Sequence, residues 1–72
     1  MKYEIKKKTV KPFRNNDGDM MDYCWYNAVR EGDGVIIQFG SSNLDYSEGE
    51  SYEIEIGKFE GKGGKVLYKE IR

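Results

Sequence analysis

Histidine is absent from the chain, and cysteine occurs once, as Cys24. The first absence removes the commonest general acid–base and every imidazole metal ligand. The second rules out an internal disulfide, and a lone thiol with no imidazole beside it reads as a core residue, not as a nucleophile. No apolar run approaches the roughly 20 residues of a membrane helix, and no long window carries a helical stripe. The start, Met1 to Lys8, has the charge of a signal peptide but no apolar stretch follows it. With one free thiol and no export signal, a cytoplasmic location is expected, with no membrane partner. The same gaps leave no equipment for metal-dependent, histidine-based or disulfide chemistry. A non-enzymatic binding role is expected, with no cofactor.

What remains is a small aromatic domain. The 72 residues make one domain, 1–72, close to the lower limit for folding alone. Apolar residues account for 38%, with one Trp, six Tyr and three Phe among them, which is enough for a core even beside 35% charged residues. The net charge of −1 is unevenly spread. Residues 1–14 carry six basic side chains (Lys2, Lys6, Lys7, Lys8, Lys11, Arg14) against Glu4, whereas residues 15–60 set eleven acidic side chains against Arg30 and Lys58. Residues 61–72 are basic again. The basic start reads either as a stripe with a purpose or as a source of cross-strand ion pairs.

Turn residues cut the chain into five segments of strand length, at about 2–13, 20–31, 35–40, 50–59 and 65–71. Their period is two. Tyr52, Ile54 and Ile56 alternate with Ser51, Glu53 and Glu55, and Val35, Ile37 and Phe39 repeat the pattern. Tyr3 and Ile5 begin alike, but Val10 and Phe13 differ in parity, which predicts a bulge or bend near Lys6–Thr9. Only Ser42–Tyr46 has room for a helical turn. The fold class is therefore all-β, a five-stranded small barrel with at most one helical turn near 42–46.

The connection Glu31-Gly32-Asp33-Gly34 decides which face is which. A two-residue turn at Asp33-Gly34 sets Ala28 opposite Phe39 and Arg30 opposite Ile37. Cys24, Tyr26 and Ala28 then join Val35, Ile37 and Phe39 inside, and Tyr23, Trp25, Asn27 and Val29 lie outside with Ile36 and Gln38. A three-residue loop exchanges the faces of one strand. It would bury Asn27, and an unpartnered buried amide costs about 1–3 kcal/mol, so the two-residue turn is preferred.

Five strands with a long bent first one resemble an OB-like barrel. The stretch Asp45-Tyr46-Ser47-Glu48-Gly49-Glu50-Ser51-Tyr52-Glu53-Ile54-Glu55-Ile56 looks like the turn that opens the fourth strand of such domains. The helix usual before that strand is missing or cut to a turn, which keeps an SH3-like or Sm-like barrel as the alternative. The OB resemblance implies single-stranded nucleic-acid binding on the outer face of strands two and three. Tyr23 and Trp25 would stack bases, Asn27 and Gln38 would bond base edges, and Lys6, Lys7, Lys8, Lys11 and Arg14 would meet phosphates. Against that stand the acidic neighbours Asp17, Asp19, Asp22, Glu31 and Asp33.

A protein partner explains the same residues. An outer face of Tyr23, Trp25, Asn27, Val29, Ile36 and Gln38 is an apolar patch of the kind used for contact with a second copy or another protein, such as a small regulator or inhibitor. This is the leading expectation, with single-stranded nucleic acid the alternative. Asp17, Asp19 and Asp22 lack the pattern of a calcium loop and read as a solvated turn. Gly61-Lys62-Gly63-Gly64-Lys65 reads as a hairpin loop, not a phosphate loop.

Overall fold

The computed structural model describes residues 1–71, and of Lys62 the backbone alone. Its strands are β1 (Lys2–Arg14), β2 (Met20–Arg30), β3 (Ile36–Ser41), β4 (Ser51–Glu53), β5 (Ile56–Glu60) and β6 (Val66–Glu70). They form one sheet in the order β4-β1-β2-β3-β6-β5, antiparallel throughout except for the parallel pair β3 and β6. The class is all-β, as expected. There are six strands and not five, arranged as an open, curled sheet, a half-barrel.

The extra strand arises because the fourth segment changes neighbour midway. Ser51–Glu53 pairs with β1, and Ile54 N donates to Met1 O at 3.0 Å. One residue later the carbonyl of Glu55 accepts from Ile71 N at 2.9 Å, and Ile56–Glu60 pairs with β6. A single run of chain therefore forms both edges of the sheet. Period two was visible in this run, but a change of partner leaves no local trace.

Residues 42–46, which had room for at most one helical turn, form none. Local side-chain bonds take up the backbone donors instead: Asn43 N donates to Ser41 Oγ at 3.0 Å and Asp45 N to Asn43 Oδ1 at 2.9 Å. The only helical turn among the described residues is a 3-10 turn at Lys62–Gly64, between β5 and β6.

A bulge lies where parity required one. The β1–β2 register shifts between Ile5 and Lys7, so Lys6 is the extra residue. Val10 then faces the same side as Cys24, and Phe13 the opposite side with Met21. The β2–β3 loop has four residues: Arg30 N donates to Val35 O at 2.8 Å and Gly34 N to Arg30 O at 3.0 Å. Ala28 faces Ile37, not Phe39. The shift from the expected pairing is two residues, an even number, so every side chain keeps its face. Val35, expected inside, is 46% exposed because it sits at the mouth of this loop, beyond the core.

The concave face holds the core. Tyr3, Ile5, Cys24, Tyr26, Ala28, Phe39, Tyr46 and Ile54 are buried. Aromatic rings dominate it: Tyr26 stacks on Phe39 at 5.3 Å, and Tyr46 meets Tyr26 edge-on at 5.2 Å. Two of the phenols in the core have hydroxyl partners, as burial requires. Tyr26 OH donates to Asn43 O at 2.5 Å and Tyr46 OH to Glu70 Oε2 at 2.5 Å.

Burial, followed by the neighbouring Cys24 thiol, pushes the Tyr26 hydroxyl well above the ordinary tyrosine value. On the other face, burial and then the charge of Glu70 raise Tyr23. A raised native value favours the neutral form, so the stabilisation is complete below the unfolded value of about 10 and is lost as pH climbs past it. Urea midpoints are expected to stay level up to about pH 10 and then fall. A midpoint that holds well above that pH would contradict the assignment.

Candidate binding face

Directly opposed residues in a sheet share a face, so the register alone assembles the convex surface. Lys7, Thr9, Lys11 and Phe13 of β1 oppose Asn27, Trp25, Tyr23 and Met21 of β2. Across β2, Trp25 faces Gly40, Asn27 faces Gln38, and Val29 faces Ile36. All six expected contact residues, Tyr23, Trp25, Asn27, Val29, Ile36 and Gln38, therefore stand on one side. The parallel pairing Gly40↔Lys69 adds Lys69 and Leu67 to that side, and Phe59 follows through its pairing with Leu67.

The rings form a chain. Phe13 meets Tyr23 edge-on at 5.9 Å, and Tyr23 meets Trp25 at 5.7 Å and 72°. Gly40 makes this packing possible. A Cβ there would lie 2.6 Å from Tyr23 Cε2 and 3.1 Å from Trp25 Cη2. The two rings thus lie over bare backbone, an arrangement in which cross-strand aromatics shelter a strand glycine.

Beside the rings runs an open groove of about 420 Å³ lined by Lys11, Pro12, Phe13, Tyr23, Trp25 and Lys69. On the other side of the indole a second depression is lined by Thr9, Lys11, Trp25, Gln38 and Leu67. Lys69 Nζ lies 5.9 Å from the centroid of the Phe59 ring, within the range of a cation–π contact.

The basic stripe does not stay together. Lys7 and Lys11 lie on the aromatic face. Lys6, in the bulge, pairs with Glu4 at 3.1 Å. Lys8 points to the concave side, where its ammonium donates to Leu44 O and its backbone N to Glu48 Oε2 at 2.9 Å. Arg14 opposes Met20 and also faces away from the rings.

The acidic neighbours disperse as well. Asp22 opposes Pro12 on the concave side. Asp17 and Asp19 sit in the β1–β2 turn, where Asn15 Oδ1 accepts from both of their backbone nitrogens at 3.0 Å. Asp33 is held in the β2–β3 loop by Arg30 at 2.6 Å, which lowers its carboxyl below the usual range. Among the described residues, no carboxylate takes an outward position from Lys7 to Phe13, Met21 to Asn27, Gln38 to Gly40 or Leu67 to Lys69. The charged side chains of that stretch are Lys7, Lys11 and Lys69, while Glu4 opposes Val29 at the far end of the face.

Phe13, Gly40, Leu67 and Lys69 were missed by sequence reasoning. Phe13 becomes legible once the bulge residue is counted out of the alternation. Lys69 depends on a parallel pairing between distant strands, for which the sequence holds no signal. Among the described residues no three His, Cys, Asp or Glu side chains come together as a metal site, and no helix is long and apolar enough to cross a membrane. No family model matches the chain, and comparison with curated proteins and with solved structures gives no match.

Proposed function

We propose that this chain is a non-enzymatic module that binds single-stranded nucleic acid on the convex face of β1, β2 and β3. One observation carries the reading: Tyr23 and Trp25 lie between Lys11 and Lys69 in one groove. Flat rings beside cations are what successive bases and phosphates require, and stacking tolerates any base. The strand order supports the same conclusion. With the run 51–60 counted as one strand, each segment's neighbours follow the order first, second, third, fifth, fourth, with the fourth returning to the first. That order, with its parallel third and last strands, resembles the OB barrel and not the antiparallel SH3-like or Sm-like alternative. A buried free thiol at Cys24 suits a cytoplasmic setting.

Four of the five acidic residues that spoke against this reading, Asp17, Asp19, Asp22 and Asp33, lie off the groove, and so nucleic acid moves ahead of a protein partner. The protein reading retains one observation of its own. Ile36 is 76% exposed at the far end of the face, next to exposed Val35 and Val66, and such apolar clusters favour protein contact.

The test is a fluorescence titration of Trp25 with an unstructured oligonucleotide of about ten nucleotides, within the usual site size of such barrels. Binding should quench the emission. With Lys7, Lys11 and Lys69 on phosphates, log K should fall against log salt with a slope of about −2. Trp25→Ala, followed by anisotropy of a labelled oligonucleotide, should cost about 1–3 kcal/mol, or roughly 5- to 150-fold in affinity. Unchanged emission at low salt would sink the nucleic-acid reading and return the face to a protein partner.

A further inference from the structure

The β1–β2 hairpin outruns the rest of the sheet. Pairing between β1 and β2 continues to Arg14↔Met20, whereas β3 stops at Ser41, opposite Cys24. The loop over 42–50 covers the concave face only as far as Lys8, through its contacts with Leu44 and Glu48. Beyond that point the concave face of the arm is bare. It carries Val10, Pro12 and Arg14 on β1 and Met20 and Asp22 on β2, with Val10 47% and Met20 60% exposed.

We infer that this strip is an isologous interface, covered in solution by the same strip of a second copy. The argument is its charge pattern. It holds one cation and one anion, on adjacent rungs: Asp22 opposite Pro12, and Arg14 opposite Met20. Neither has an ion-pair partner among the described residues. A two-fold axis crossing the arm between those rungs reverses its direction and brings each Arg14 level with the other copy's Asp22. The strip is thus complementary to itself, as a two-fold contact demands. Pro12 and Met20 supply apolar area at the two charge pairs, and Val10 flanks them.

Pairing through the β1 edge of the arm is disfavoured. β1 there carries Lys7, Lys8, Lys11 and Pro12, and lysines and proline are the residues that keep sheet edges from joining. Face-to-face packing is the mode that the charge pattern of the strip supports. Nucleic-acid binding uses the opposite side of the same strands, and the two surfaces meet only at Pro12.

Sedimentation of the whole chain tests the inference without any variant. The mass should rise from 8.4 kDa to twice that value with concentration. Arg14→Asp and Asp22→Arg should each weaken association by about tenfold or more, because each turns an attraction into a repulsion. The double exchange should restore it. Circular dichroism monitors folding, which these exposed positions should leave intact. Oligonucleotide affinity of the single variants, read at concentrations where all forms are monomeric, should stay unchanged. A monomer at every concentration overturns the inference. So does a dimer indifferent to both single exchanges, or one that the double exchange fails to recover.

Discussion

Phe39→Ala is expected to remove a large share of the chain's stability, about 3–5 kcal/mol. Phe39 is fully buried, and its ring lies 5.3 Å from Tyr26, 6.4 Å from Tyr3 and 6.5 Å from Tyr46. Its backbone also joins the two halves of the sheet, opposing Tyr26 on β2 and Tyr68 on β6. Truncating a buried phenylalanine costs about 3–5 kcal/mol. A domain of this length has roughly 4–11 kcal/mol in total, so the loss takes a large share of it. The cavity cannot close easily, because the neighbouring tyrosines are held by hydroxyl bonds to Asn43 and Glu70. Urea unfolding followed by circular dichroism gives the measure, with Phe39→Leu as the milder comparison. A midpoint shift worth less than about 1 kcal/mol would mean that the aromatic cluster is not the stabilising centre.

Which side of β2 faces the core was legible because the loop length affects faces only through its parity. The expected turn and the observed loop differ by two residues, and both put Tyr26 inside and Trp25 outside. The penalty for burying Asn27 supplied that parity correctly without supplying the register. The bulge at Lys6 was legible for a similar reason, since Tyr3 and Ile5 could not share a face with Val10 under unbroken alternation. The basic stripe fared differently. Consecutive residues in a strand point to opposite faces, so Lys6, Lys7 and Lys8 were bound to separate. The groove itself needed Lys69 beside Tyr23, and that contact depends on the order of strands around the curl. Strand order comes from pairing between distant segments, about which local patterns say little.

Gly40→Ala is expected to lower both stability and affinity, although glycine to alanine usually stabilises a strand. The usual gain of about 0.4–1 kcal/mol comes from restricting the unfolded chain and applies wherever the native site can accept a methyl group. Gly40 cannot. Its new Cβ would stand 2.6 Å from Tyr23 Cε2 and 2.8 Å from the Tyr23 hydroxyl oxygen, well inside van der Waals contact. The strand is fixed by β2 on one side and β6 on the other, so the rings must give way. Overpacking of this kind costs about 1–3 kcal/mol. Lifting Tyr23 and Trp25 off the backbone also disrupts the groove they share with Lys11 and Lys69. An oligonucleotide titration should then show a loss close to that of Trp25→Ala, in a chain that still folds. If Gly40→Ala binds as tightly as the parent while Trp25→Ala does not, the indole alone makes the contact, and the geometry of the ring pair over Gly40 has no part in recognition.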